Sequence, residues 1–119
     1  DREWSEEKRA RFVAVAARHP ELSRLHDLRT RTSGGIDFVQ FHVDLPGDYT
    51  VSRAHDILER VERDLLAEFP DAEVLIHVDP SGHVDEPSNR LVEEDQFSRF
   101  GERPGPQNKR DGETNGPAK

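Results

Sequence analysis

Apolar residues recur with two different periods along residues 1–80, and each change of period marks a new element. Residues 1–19 have the three- and four-residue spacing of an amphipathic helix, with Ser5 as its N-cap and Pro20 beyond its end. A second helical pattern starts at Thr50, another capping residue, and stops at Pro70. The sequence therefore predicts two helices. Their apolar positions are Phe12, Val13 and Ala16 in the first and Val51, Ala54, Leu58, Val61, Leu65 and Phe69 in the second.

Three other segments have the composition or the alternation of strands. They span residues 22–32, 36–45 and 72–79, and "SGG" at 33–35 predicts a tight turn that joins the first two into a hairpin. The predicted order of elements is therefore αββαβ.

In the strand "FVQFHVDL", residues 38–45, apolar and polar side chains must point to opposite faces because successive residues of a strand alternate. One face carries Val39, Phe41, Val43 and Leu45, and the other carries Phe38, Gln40, His42 and Asp44. In residues 72–79 the same rule places Val74, Ile76 and Val78 on one face and Leu75, His77 and Asp79 on the other. The polar face of each strand is thus the place to look for a ligand site.

Composition changes sharply after Pro80. Only 32% of the 119 residues are hydrophobic and 35% are charged, and the last 40 contain five of the eight prolines and five of the eight glycines. Such a segment buries too little apolar surface to offset its ordering entropy. We therefore predict one folded domain at residues 1–80 and a mostly disordered tail at 81–119. The stretch "LVEEDQFSRF", residues 91–100, is the exception, because it could dock on the domain or bind a partner.

Charge and residue usage exclude several functions. A net charge of -8 disfavours binding to the phosphates of nucleic acids, and the absence of cysteine leaves imidazole and carboxylate as metal ligands. No apolar run approaches the roughly 20 residues needed to span a bilayer. Because the chain has no methionine, we expect it to be a piece of a longer protein.

Five side chains on adjacent predicted elements are candidate metal ligands. Any single histidine is more simply an ordinary surface or core residue, but four of them with an aspartate supply the donors that zinc and similar ions prefer. His19, before Pro20, and His83, in the tail, are expected to be bystanders. The five candidates are His26, His42, His55, His77 and Asp79.

Residues 25–80 resemble the C-terminal cytoplasmic domain of bacterial cation diffusion facilitators, the proton-coupled exporters of zinc, iron and related divalent ions. The resemblance rests on "HDLRTR", "FVQFH", "AHDILERVE" and "FPDAEVLIHVDP", which stand in that family's order and spacing. The opening "DREWSEEKRARF" is similar to the segment that follows the family's last transmembrane helix.

The resemblance implies an α+β fold, an open αββαβ ferredoxin-like sandwich like a small copper chaperone, with a three-stranded sheet and helices on one face. It also implies a homodimer below a six-helix transmembrane domain, on the cytoplasmic side of the bacterial inner membrane. The family's binuclear site lies near the dimer interface, so residues of both protomers can contribute. Its ligands fall on His26 in "HDLRTR", His42 in "FVQFH", His55 in "AHDIL", and His77 and Asp79 in "IHVDP", for Zn²⁺ or for Fe²⁺, Cd²⁺ or Mn²⁺.

Two other functions stay open at this point. One is a free-standing dimeric interaction module whose histidines are incidental. The other is a metal-dependent hydrolase, which the sequence disfavours because no general base is left once the five ligands are assigned. We therefore predict a regulatory domain and not an enzyme.

Overall fold

The computed structural model describes residues 2–82 and 94–100 of the chain, and it confirms the predicted αββαβ order. Of the predicted tail, 81–119, the structure describes residues 81–82 and 94–100, and His83 lies outside the described residues. A short sixth element, α3, follows the five predicted ones. The elements are α1 (Glu6–Ala16), β1 (Arg24–Ser33), β2 (Ile36–Leu45), α2 (Val51–Glu68), β3 (Ala72–Pro80) and α3 (Gln96–Arg99).

Both long helices begin at the predicted caps. The Ser5 side chain accepts a hydrogen bond from the backbone N–H of Lys8 at 3.1 Å, and Thr50 does the same for Arg53 at 3.0 Å. The predicted helix, residues 1–19, is longer than α1 at both ends. Before the cap, the backbone of Arg2 pairs with Thr32 at the edge of β1, which requires an extended chain there.

The three strands form one sheet in the order β1-β2-β3, with β1 and β2 antiparallel and β2 and β3 parallel. We call the side that packs against α1 and α2 the inner face. The predicted apolar residues of β2 lie there, each at most 3% exposed, and the ring of Phe41 meets that of Phe12 edge to face at 5.6 Å. The predicted α+β fold with helices on one face of a three-stranded sheet is therefore confirmed.

We call the opposite side the outer face, and strand register identifies its members. Residues paired across neighbouring strands share a face. The outer face accordingly includes His26, Arg29 and Arg31 of β1, Phe38, Gln40, His42 and Asp44 of β2, and Leu75, His77 and Asp79 of β3.

A β-bulge in β1 was not predicted. Asp27 and Leu28 together oppose a single residue of β2, and Asp27 has a left-handed backbone with φ of 53°. The extra residue changes the alternation, so that Leu25 and Leu28 are both buried although they are three apart. His26 and Asp27 can then both serve the outer face.

The C-terminal stretch 91–100 docks on the domain where it is described. Phe97 of α3 is 1% exposed and belongs to the same apolar core as Phe12 and Leu25. Of the two possibilities left open for this stretch, the structure shows local docking for residues 94–100.

Candidate metal centre

Three histidines from three strands stand in one row across the outer face. The register pairs His26 with His42 and His42 with His77, so their side chains start one strand spacing apart. The rings of His42 and His77 stack at 4.7 Å, and those of His26 and His42 lie 5.3 Å apart. Sheet topology thus brings together candidate ligands that are 16 to 51 positions apart in the sequence.

Asp79 lies one row further along β3 and joins two of these histidines. Its Oδ2 is 3.1 Å from His42 Nδ1 and 3.5 Å from His26 Nε2. One donor atom from each of His26, His42 and Asp79 lies within 4.8 Å of the others. Bonds of about 2.1 Å in a tetrahedral zinc site separate the donors by about 3.4 Å. The donor set and its spacing therefore fit a divalent ion of this kind.

Asp44 is a neighbour of the site that the candidate set left out. It is 5% exposed, and its Oδ1 lies 3.2 Å from His26 Nε2. Its other oxygen is 3.4 Å from Arg24 Nη1, so the buried carboxylate has a cationic partner. The alternation of β2 had already placed Asp44 on the same face as His42, and that parity was the available signal.

Asp27 is the second neighbour that the candidate set left out. The bulge brings its Oδ2 to 3.6 Å from His42 Nε2, while its Oδ1 accepts a hydrogen bond from Arg29 Nε at 3.0 Å. His42 thus has Asp79 at Nδ1 and Asp27 near Nε2. A carboxylate at the far nitrogen of a metal-binding imidazole fixes the ring orientation. The only sequence signal was the three-residue spacing of Leu25 and Leu28 in a strand.

His55 is not brought to this row within one chain. It is on α2, its side chain is 67% exposed, and its nearest acidic neighbours are Asp56 and Glu59, each at 3.9 Å. The buried residues of α2, such as Ile57 and Val61, face the core on the inner side. Of the five predicted ligands, the fold therefore gathers His26, His42, His77 and Asp79 and leaves His55 on another surface.

Residues 4–81 match the sequence model of the cation efflux protein cytoplasmic domain. The chain belongs to this family. The match includes all five predicted ligands and ends before α3. The resemblance inferred from the four sequence motifs is confirmed.

Among its relatives in the cation efflux family is the cation-efflux pump FieF of Shewanella oneidensis, 44% identical over 80 residues, which are 67% of this chain and 27% of that protein. FieF of Escherichia coli is 36% identical over 92 residues, 77% of this chain and 31% of that protein. The chain thus spans less than a third of the length of these relatives. In the part of the chain that the structure describes, no helix is both long and apolar enough to cross a membrane.

Solved structures of cation efflux proteins share the fold. The zinc form of CzrB is 32% identical with a TM-score of 0.65, over 72% of this chain and 99% of that one. The metal-bound C-terminal domain of the CzcD transporter from Thermotoga maritima is 28% identical with a TM-score of 0.62, over 69% of this chain and 99% of that one. The fold is therefore that of an entire cytoplasmic domain in this family.

Proposed function

We propose that this chain is the metal-binding, regulatory and dimerisation domain of a proton-coupled exporter of divalent cations, with zinc or a similar divalent ion as its ligand. The observation that carries the proposal is the convergence of His26, His42 and Asp79 from three strands onto one position of the outer face. Two imidazoles and a carboxylate, with no thiolate in the chain, suit zinc and also Fe²⁺, Cd²⁺ and Mn²⁺.

A second copy of the chain is the proposed partner of the outer face. Leu75 on this face is 54% exposed, and an open groove of about 580 Å³ lies beside it, with Arg29, Arg31 and Phe38 in its lining. Exposed apolar area next to polar groups is typical of protein interfaces. His55 would then complete a metal site from the second copy, which is consistent with its distance from the row in one chain.

Metal bound between two copies would shift the equilibrium between two dimer geometries toward one of them. A ligand shifts such an equilibrium only as far as its affinities for the two geometries differ. His77, which stacks on His42 at the exposed end of the row, would join a second ion. In the longer transporter the chosen geometry would be transmitted to the membrane domain.

The test is the effect of zinc on thermal unfolding. A ligand that binds only the folded chain stabilises it by about 2.7 kcal/mol at a hundredfold excess over Kd. We expect Asp79→Ala and His77→Ala to abolish most of the zinc-induced rise in Tm, and His55→Ala to remove only part of it. The rise should also fade as the pH falls below about 6.5, where free imidazole gains a proton.

The matched control is His19→Ala. His19, in the segment after α1, has its Nε2 2.8 Å from Oδ2 of Asp64 on α2. The substitution should therefore lower Tm without metal and leave the zinc-induced rise intact. A full rise in the Asp79→Ala and His77→Ala proteins would contradict the assignment.

Dimerisation is checked by light scattering at tens of micromolar protein, with and without zinc. We expect a dimer that tightens with metal. A dimer that ignores zinc would favour the interaction module, and a monomer under both conditions would contradict the proposed interface. Turnover of simple esters in the presence of zinc would instead favour a hydrolase.

A further inference from the structure

A short helix beyond the family-matched residues is part of the core of this domain. Phe97 of α3 is 1% exposed and Gln96 is 5% exposed, and α3 packs against β1 and α1. The match to the family model ends at residue 81. α3 is thus an addition to the matched domain that buries one of its few aromatic side chains.

One carboxylate oxygen links α3 to the sheet by hydrogen bonds. Asp95 Oδ1 accepts hydrogen bonds from the backbone N–H of Leu25 at 3.2 Å and of Phe97 at 3.1 Å. In the described sheet β1 is an edge strand, and the extended residue Arg2 pairs with its far end at Thr32. Asp95 therefore satisfies an edge amide of β1 and the first turn of α3 together.

An ion pair fixes the other end of the segment. Arg99 pairs with Glu6, in the first turn of α1, and lies 3.8 Å from Glu94. Residues 94–100 therefore bridge the beginning of α1 and the beginning of β1, and we call them the clasp.

The clasp is attached next to a metal ligand. The Leu25 amide donates a hydrogen bond to Asp95, and Leu25 directly precedes His26. The bulge at Asp27 directly follows His26. The strand segment that carries His26 is therefore held by β2 on one side and by Asp95 on the other. His26 is only 8% exposed, and the 3.2 and 3.5 Å distances from its Nε2 to two carboxylates depend on the position of this segment.

We propose that the clasp positions His26, so that its docking is coupled to metal binding at His26, His42 and Asp79. This inference rests on the proposed metal site. Coupling between two sites is reciprocal: if docking raises the affinity for metal by a factor, bound metal favours docking by the same factor. A partner that pulled the clasp off the domain would therefore release metal.

The first measurement is zinc affinity by calorimetry on the full chain. Asp95→Ala removes the acceptor and Phe97→Ala removes the buried anchor, and each should weaken zinc binding about fivefold or more, the lower end of typical couplings. Asp95→Asn keeps a side-chain oxygen acceptor and should restore most of the affinity. Val61→Ala, at a buried position of α2, should lower Tm without weakening zinc binding.

The second measurement tests reciprocity through hydrogen exchange at the Phe97 amide. Saturating zinc should slow local exchange at this amide at least as many fold as Asp95→Ala weakens zinc binding. It should have no such effect in Asp79→Ala. Equal zinc affinity in the wild type and Asp95→Ala would overturn the proposed coupling of clasp docking to metal binding. A loss of zinc affinity in Val61→Ala as large as in Asp95→Ala would do the same, and both outcomes can be read even if Phe97→Ala fails to fold. A wild-type chain that binds no zinc would instead overturn the proposed metal site.

Discussion

The two faces of the sheet show how one set of strands can serve two purposes. On the inner face, Val39, Phe41 and Val43 of β2 are nearly inaccessible and pack against the helices. On the outer face of the same strand, His42 remains 29% exposed and faces carboxylates from both neighbouring strands. The inner face stabilises the fold, whereas the outer face gathers polar groups whose clustering adds little to stability without a ligand.

The difference has a physical cause. Burial of apolar side chains is favourable in proportion to the area removed from water, at about 25 cal/mol per Å². Clustered imidazoles and carboxylates lose hydration, and only mutual hydrogen bonds or a bound metal compensate for the free energy that this costs. Such a cluster therefore contributes little to stability unless a ligand binds to it, as we propose for a divalent metal ion.

The largest expected contrast compares two leucines on opposite faces. Leu45→Ala, at 2% exposure on the inner face, should lower the free energy of unfolding by about 2–5 kcal/mol. Leu75→Ala, at 54% exposure on the outer face, should change it by less than about 0.5 kcal/mol. Denaturant unfolding of both variants at low protein concentration measures the difference.

The same pair of variants also tests the proposed interface. Leu75→Ala should weaken the dimer in light scattering, whereas folded Leu45→Ala should retain it. A large loss of monomer stability in Leu75→Ala would contradict the distinction between the two faces.

A smaller effect is expected at the bulge. Asn tolerates the left-handed backbone of Asp27, so Asp27→Asn should keep the bulge and remove the charge near His42 Nε2. We expect about tenfold weaker zinc binding with little change in the Tm of the metal-free protein. Asp48→Asn, in the turn before α2, is the surface control. Unchanged zinc affinity in Asp27→Asn would show that this carboxylate does not orient the imidazole.

The smallest effect is expected at the polar end of the inner face. Burial raises the pKa of Asp37, but hydrogen bonds from Thr32 at 2.6 Å and Lys8 at 2.9 Å outweigh it and hold the pKa below its usual 3.8. A carboxyl whose pKa is lower in the folded state stabilises the fold at pH values above its pKa in the unfolded state. This contribution is lost as the pH falls through the pKa of the folded state. Asp37→Asn should therefore cost about 1 kcal/mol at pH 7.

Thermal unfolding of Asp37→Asn and the wild type at a series of pH values checks this prediction. The difference in Tm should be largest at neutral pH and shrink once the wild-type carboxyl is protonated, below its usual 3.8. A difference that is constant with pH would mean that the ionised form of Asp37 is not the stabilising one.

Much of the architecture followed from local pattern. Ser5 and Thr50 set the beginnings of the helices, and the alternation around Phe41 and His42 assigned each side chain of β2 to the correct face. These features depend on residues a few positions apart, so short stretches of sequence are enough to predict them. The resemblance carried by the motifs then supplied the set of candidate ligands, and that set stays a prediction.

Other features depend on contacts between distant residues. The bulge at Asp27 adds one residue between His26 and Arg29 on β1 relative to β2, and the local sequence propensities do not predict it. The docking of Phe97 was left open because a short segment of low apolar content gains its burial only from a core already formed by other elements.

The sequence by itself determined the elements, their caps, the polarity of each strand face and the types of side chain available to a metal. Only the tertiary structure decided that His26, His42 and Asp79 converge while His55 lies on another surface, because strand register and helix packing fix those distances. It also decided that Asp44 and Asp27 adjoin the site and that Asp95 holds β1 beside His26. Spacing along a chain fixes which face a side chain occupies, but the distance between two strands is set by the hydrogen bonds that join them.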